Sequence, residues 1–560
     1  SNLLFCMAHD ERVDAAALFA EHVRFGRQFE APLRAGWPQH RNTREPQRCL
    51  QIGVVSADLR NHAVAHFIEP VLAQWASDPG LALHAYYTFP TEDGDTQRLR
   101  GYVAHWHAVA GLNDAALAER IRADGIDILL DLSGHTAGNR LPVFARKPAP
   151  LQVSWIGYAG TTGLQAMDYY LADRHFLPPG RFDNQFTEKI VQLLGGTPFL
   201  PAADAPPVNA LPALANGHVT FGSFNRLNKL SQPVIALWSQ LLRAVPESRM
   251  VLGAMPEDGA CDVLLGWFAQ EGIARERLTL HARCGMRAYL TLHHQVDICL
   301  DTFPYNGGTT TLHALWMGVP TLTLAGGTPA GRSGAAVLGH AGLEEFVAQE
   351  AGEFVAKGVC WAGDLAALAE LRSGLREQYA HSARGQSALV AASVADALRM
   401  MWQRWCAGQP AASFEVSLDT VRAVRQRGAQ QAQVDAPPLE KAMPDQQEIN
   451  TLAALYGQRR FAEVETLARS FTQRFPQHEF GWKVLGSVLD LQGRSGEALA
   501  PTQRAAELSP RDAQAHSNLG IILQRQGLQK EAEASYRKAL EIQPDYVDVH
   551  NNLGIVLKEL

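Results

Sequence analysis

From residue 50 onward the chain reads as short apolar runs separated by amphipathic stretches. LQIGVVS (50–56), LALHAYYT (81–88), IDILLDLSG (126–134) and LQVSWIGY (151–158) have the length and composition of buried strands. Helices are expected between them, most clearly at 113–123. A Pro- and Ala-rich stretch at 201–212 reads as a hinge. The alternation then resumes, with strands expected at 219–224, 250–254, 278–282, 296–301 and 320–325 and a helix at 231–245. Such alternation predicts two parallel, doubly wound sheets whose strands aim their carboxyl ends at a shared cleft. Residues 1–30 are helical in pattern, 395–406 reads as a helix closing the second half, and 407–446 is polar and linker-like.

The pattern changes again after 447. Gly486, Gly520 and Gly554 recur every 34 residues in LGSVL, LGIIL and LGIVL, and Pro476, Pro510 and Pro544 recur at the same period. With Trp482, Ala532 and Tyr536 this is the tetratricopeptide helix-turn-helix pattern. The expected domains are a joining segment (1–47), a first lobe (48–200), a second lobe (201–406), a linker or break in chain order (407–446) and the repeats (447–560). The last repeat stops after one helix, and SNLLFCMAHD (1–10) opens in mid-helix without an initiator Met, so each end is expected to lack a continuation.

Composition narrows the function. The 560 residues carry a net charge of −7 with no Lys/Arg-dense run, which argues against nucleic-acid and membrane partners. No apolar run reaches membrane-spanning length and no charged leader opens the chain, so the expected compartment is the cytoplasm. The seven cysteines are scattered without a CxxC pair, which argues for reduced thiols and against a disulfide framework or a zinc site built on them.

Candidate chemistry centres on VDICLDTFPYNGGTTTLHALWMGVP (296–320). A strand, a turn and a helix beginning at Thr309 are expected. Gly307 and Gly308 allow close backbone approach, and Thr309 and Thr310 offer hydroxyls and free N–H groups at the positive end of a helix. This suits a diphosphate. An ordinary strand-to-helix turn has the same pattern.

Several long motifs resemble one family, the O-linked N-acetylglucosamine transferases and especially their bacterial homologues: SADLRNHAVAHF (56–67), KPAPLQVSWIGYAGTTG (147–163), FGSFNRLNKL (221–230), CLDTFPYNGGTTT (299–311) and the repeats. The resemblance implies an α/β two-lobed GT-B fold, two Rossmann-like domains, joined to an all-α tetratricopeptide superhelix. It also implies inverting, metal-independent transfer from a UDP-sugar, UDP-N-acetylglucosamine, to Ser/Thr hydroxyls of protein or peptide acceptors. By the same resemblance Lys229 reaches the diphosphate, His62 is a candidate general base and Asp58 an alternative proton acceptor. Asn225, Arg226, Tyr289, Gly307, Gly308, Thr309, Thr310 and His313 are placed at the donor. His135, Thr136, Gly157, Tyr158 and Ala159 are placed in the cleft, and Asn518 and Asn552 in a peptide-binding groove. No metal ligands or cofactors are expected.

Two features depart from the family. The repeats follow the transferase lobes here and precede them there, so a permuted order or its numbering is expected. His313 stands where the family often has an acidic ribose ligand, which leaves GDP-fucose or UDP-glucose transfer as alternatives. A nucleotide-binding repeat scaffold without turnover is a third. His66 is read as packing, Tyr289 as a base-stacking or core aromatic, and Asp93 and Asp95 (DGD) as turn residues.

Overall fold

The computed structural model describes residues 1–199, 201–202, 204–256, 261–418, 446–458, 460–475 and 478–559, and divides the chain into two bodies, Ser1–Gly428 and Ala429–Leu560. The first body holds two sheets. One contains β1 (Leu50–Ser56), β2 (Leu81–Tyr87), β3 (His105–Ala108), β4 (Ile128–Asp131), β5 (Leu151–Ser154), β6 (Tyr169–Asp173) and β7 (Lys189–Leu193). The other contains β8 (Thr220–Ser223), β9 (Arg249–Met255), β10 (Leu278–Ala282), β11 (Ile298–Leu300), β12 (Thr321–Leu324) and β13 (Val347–Ala348). A final strand, β14 (Phe414–Glu415), returns to the first sheet.

The strand orders are β14-β7-β6-β5-β4-β1-β2-β3 and β10-β9-β8-β11-β12-β13, with parallel pairing. Counted from its own first strand, the second sheet therefore runs 3-2-1-4-5-6, the order of a dinucleotide-binding fold, and the first runs the same way and continues with β7 and β14. The order reverses between β1 and β4 in one lobe and between β8 and β11 in the other. A crevice opens at such reversals, because the loops leave toward opposite faces. Both faces of these strands are covered: Leu50, Ile52, Val54, Ile128, Leu130 and Val153 are buried in the first lobe, and Phe221, Met250, Leu252, Ile298 and Leu322 in the second. That is why they read as continuous apolar runs.

Four expectations need correction. Residues 1–30 form two helices, Asn2–Met7 and Ala15–Phe29, because Asp14 caps the second through Ala17 N–H and breaks the run. The closing helix is longer than expected, Ser387–Cys406, and packs Val390, Val394, Leu398 and Trp402 into the first lobe's core. Part of the expected linker, β14 and the buried Val416, belongs to that lobe too. Strands β3, β6, β7 and β13 lie outside the expected set. The remainder of the expected linker, from 419 to 445, lies outside the described residues.

The second body is a run of antiparallel helix pairs, such as Glu479–Leu491 with Ser495–Leu508 and Ala513–Arg525 with Gln529–Ile542. Two of the three repeat glycines are needed for close helix packing, while Gly554 faces open space. A Cβ on Gly520 would stand 2.5 Å from the Tyr536 ring, and one on Gly486 would stand 2.3 Å from Thr502 Oγ1. Pro476 lies outside the described residues. Among the described residues no helix is long and apolar enough to cross a membrane.

Candidate nucleotide-sugar site

The loops after β8 and β11 meet at the second lobe's order reversal. Helix Thr309–Trp316 begins at Gly308 with no side-chain cap and no acidic residue in its first turn, so its leading N–H groups face outward as donors. Lys229, closing the short turn Leu227–Lys229, donates from Nζ to Asn306 O at 2.7 Å, and its ammonium stands 4.6 Å from the centre of the Tyr305 ring. Burial brings this lysine down to about 8, against the pull of the Asp301 charge and with help from Arg226. Positive charge is thus concentrated beside an uncapped helix end. The arrangement suits a diphosphate leaving group.

Asp301 holds this loop in shape. Its carboxylate accepts from Gly307 N at 2.6 Å, Thr302 N at 2.8 Å and Thr323 Oγ1 at 2.8 Å, and burial raises it to about 6. Asn306, buried, donates to Thr302 O at 2.7 Å. Asn225, also buried, accepts from Thr310 Oγ1 at 3.2 Å, tying β8's loop to the helix. The two glycines differ: a Cβ on Gly307 would meet Thr310 Oγ1 at 2.3 Å and Asn225 Oδ1 at 3.0 Å, whereas Gly308 faces open space. Thr309 is half-buried in the first turn, and Arg226 is exposed.

Tyr289 sits edge-on to Phe224 and His293 in a small apolar cluster and shares a 3.2 Å hydrogen bond with His313 Nδ1. It packs as a core aromatic here. Burial, and then the charge of His66, keeps His313 at about 4, so the ring is neutral near pH 7. His66 is therefore close to the donor side of the cleft, beyond the packing role expected of it.

The first lobe's order reversal brings two titratable groups together. Asp58 and His62 follow β1, with Asp58 Oδ1 3.7 Å from His62 Nδ1. Burial raises Asp58, while burial lowers His62 against the pull of Asp58, with Arg60, Arg226 and His66 lowering it further. His62 also caps helix Ala63–Trp75, its Nδ1 accepting from Val64 N–H at 3.3 Å. The ring proton then belongs on Nε2, and the lone pair that a base needs is engaged in the cap. Asp93, read as a turn residue, caps helix Gly94–Arg100 and accepts from Asn61 N at 2.8 Å, which steadies this loop; Asp95 pairs with Arg98.

The remaining cleft residues lie mostly beneath the surface. His135 is buried, with Nε2 on Thr162 O at 2.9 Å and Nδ1 on Ser1 Oγ at 3.1 Å, and burial pushes it down to about 3. Tyr158 is buried against it with its hydroxyl on His22 Nε2 at 2.9 Å. Both are props for the cleft floor, contrary to the cleft-lining position expected. A Cβ on Gly157 would stand 2.1 Å from Leu132 O, so this glycine lets two loops pass. Thr136 hydrogen-bonds Ser133 O at 2.7 Å, and Ala159 packs with Tyr305 and Met7.

Sequence reasoning missed the part that the first helix and the turn after it play beside the site. His9 stacks on Tyr305 with ring centres 4.1 Å apart, Phe5 lies 6.0 Å from the same ring, and His9 is lowered by burial and by the charge of Lys229. The Tyr305 ring thus contacts both His9 and the ammonium. A charged or aromatic residue beside an invading helix carries no local pattern. Asp301 and Asn306 were within reach, since polar residues at the carboxyl end of a strand at an order reversal are rarely idle.

The model of glycosyl transferase family 41 matches residues 1–200 and 209–392, covering both lobes and every residue just described. The chain belongs to glycosyl transferase family 41. A tetratricopeptide model matches residues 513–546. Among curated proteins similar to it is the "Probable UDP-N-acetylglucosamine--peptide N-acetylglucosaminyltransferase SPINDLY" of Solanum lycopersicum, 35% identical over 417 residues, 73% of this chain and 44% of that protein. The protein of that name from Arabidopsis thaliana is 37% identical, over 70% of this chain and 43% of its own length. The chain thus spans less than half the length of these relatives. Among solved structures, an O-GlcNAc transferase mutant from Thermobaculum terrenum is 36% identical with a TM-score of 0.67, over 73% of this chain and 78% of that one. The family 41 lobes are therefore GT-B in fold, as the sequence implied, and the repeats form an all-α module.

In that module Asn518 and Asn552 occupy matching positions on the first helices of successive repeats, Ala513–Arg525 and Val547–Glu559. Asn518 Oδ1 accepts from Gln514 Nε2 at 2.9 Å, and both asparagines are half-buried.

Proposed function

We propose that this family 41 protein transfers N-acetylglucosamine from UDP-N-acetylglucosamine to Ser or Thr hydroxyls of proteins, with inversion at the sugar. The observation that carries this reading is the convergence of the Lys229 ammonium and the uncapped helix at Thr309 on one loop. As the C1–O bond to the β-phosphate breaks, the electron pair leaves with UDP and these groups compensate the charge. The acceptor oxygen attacks C1 from the opposite face. Its proton passes to the Asp58–His62 pair, with Asp58 the end acceptor because His62 Nδ1 is engaged in its cap. Since cationic protein groups supply the compensation, no metal or cofactor is required, and transfer should persist in EDTA. The repeats would hold extended acceptor segments through Asn518 and Asn552. Soluble cytoplasmic protein is the expected setting, without nucleic-acid or membrane partners.

A second reading is a GDP-sugar donor: His313, a neutral imidazole bonded to Tyr289, offers the nucleotide no carboxylate, and nothing at this position selects uridine. Calorimetric titration with UDP and with GDP separates the two. Micromolar UDP binding without GDP binding, followed by mass-spectrometric detection of N-acetylhexosamine on an acceptor peptide, supports the first. Preference for GDP supports fucosyl transfer. Nucleotide binding without sugar transfer to any acceptor leaves the scaffold reading.

A further inference from the structure

The first lobe's far edge carries a cluster that the transfer chemistry does not use. His84 on β2, His107 on β3 and Asp124, at the end of helix Asp114–Ala123, bring one ligand atom each to within 4.8 Å of the others. His84 Nδ1 lies 3.4 Å from His107 Nε2, and His107 Nε2 lies 3.6 Å from Asp124 Oδ2. Both distances are long for hydrogen bonds. They match adjacent corners of a tetrahedron around a cation with bonds of about 2.1 Å, for which the edge is about 3.4 Å.

The surroundings orient the donors. His84 is buried, and its Nε2–H is directed at Gln51 Oε1, 2.9 Å away on β1, which leaves Nδ1 as a lone pair facing the cluster. A metal-bound histidine is usually held this way by a second partner on its other nitrogen. His105 stacks on His84 at 4.3 Å and screens it. Tyr86 donates its hydroxyl to Asp124 Oδ2 at 2.9 Å, fixing the carboxylate. Arg120 is the competitor: it donates to Asp124 at 2.8 Å and to His107 Nδ1 at 3.1 Å, so the His107 proton rests on Nε2. The Arg120 side chain is half exposed and free to leave.

We propose that His84, His107 and Asp124 bind one divalent transition cation of the zinc class, pinning edge strand β3 to β2 and to the helix that follows. On binding, the His107 proton moves from Nε2 to Nδ1, Arg120 swings to solvent, and water completes the tetrahedron. The nitrogen-rich, single-carboxylate set selects zinc over magnesium or calcium. His84 sits mid-strand on β2, and His107, opposite Tyr86, lies on the same face of the edge strand β3.

Titration of EDTA-treated full-length protein with zinc chloride, followed by calorimetry and thermal melting, tests this. The wild type should take up one equivalent that His107→Ala and Asp124→Asn weaken at least about tenfold, with the zinc-dependent rise in Tm lost in both. Gln51→Ala should weaken it by roughly 10–100-fold, and Arg120→Ala should tighten it. Zinc held by the exposed thiols would persist in every variant. Circular dichroism checks folding, and if His107→Ala unfolds, Asp124→Asn at its helix end decides. Equal zinc affinity and equal Tm shift in wild type and Asp124→Asn would overturn the site.

Discussion

Lys229 is an ammonium held where charging it is costly, which is the usual condition of a group that waits for an anion. Its folded pKa of about 8 lies below the ordinary lysine value, so the buried charge costs stability below pH 8 and that cost fades as pH rises through 8. Lys229→Met is therefore expected to keep or raise Tm at pH 7 while lowering kcat by about 10²–10³-fold; melting curves beside transfer rates check both. For the wild type, kcat/KM should fall as pH rises through about 8, because the free enzyme loses the ammonium there. Asp58 and His62 form one proton-accepting unit in this reading. The Asp58→Asn, His62→Ala double variant should then be no slower than Asp58→Asn alone, a non-additivity read from single-turnover rates. The place of Lys229 on the loop after β8 was legible from its motif, but its surroundings were not: Tyr305, Asp301 and His9 come from a distant loop, a strand end and the turn after the first helix, and their meeting is a property of the fold.

The donor loop and helix form one element whose two glycines have different tasks. Gly307 has no room for a methyl group, with Thr310 Oγ1, Asn225 Oδ1 and Asp301 Oδ1 all within about a van der Waals contact of it, while Gly308 borders open space. Gly307→Ala should destabilise by about 1–3 kcal/mol and weaken UDP binding, and Gly308→Ala should melt near the wild type; calorimetry with UDP beside thermal melts separates them. The sequence announced this element well because its strand, turn and helix signals agree. It announced β1, β2 and β10 for the same reason. It hid β3, where the four residues HWHA are too few to carry a pattern and stay exposed or half-buried, and β6 and β7, which follow loops with no α-helix between them. The helix Ser387–Cys406 was seen as an element but assigned to the wrong lobe, since amphipathic periodicity says that one face is covered and not by what.

Across the whole first body, the lobes are joined by a buried polar contact as well as by apolar packing. His340 Nε2 stands 3.1 Å from Asp173 Oδ1, and Arg332 donates to Phe176 O at 2.9 Å. Burial pushes Asp173 up, but His340, Arg384 and the Phe176 N–H overcome it and hold the carboxyl at about 2. A carboxyl depressed in this way contributes stability that is present above about pH 4 and lost as pH falls toward 2. His340→Ala removes the largest of these partners and leaves the buried carboxylate to Arg384 and the N–H groups of His175 and Phe176, so it is expected to cost about 1.5–3 kcal/mol at pH 7 and to raise the midpoint of acid unfolding, both measurable by denaturant and pH titration. The two-sheet plan was legible from alternation alone, whereas the return of the chain was not, because Phe414 and Glu415 pair with β7 across more than two hundred residues. That return bears on synthesis. A ribosome delivers residues 50–193 before the second lobe, yet part of their core stays uncovered until the helix ending at Cys406 and the strand at Phe414–Glu415 have emerged. The second lobe, drawn from one contiguous stretch, closes ahead of it, so of the two lobes the one made earlier is the one finished later. A chain stopped after residue 386 should aggregate where one stopped after residue 428 stays in solution, and until then the nascent first lobe is a natural client for chaperones.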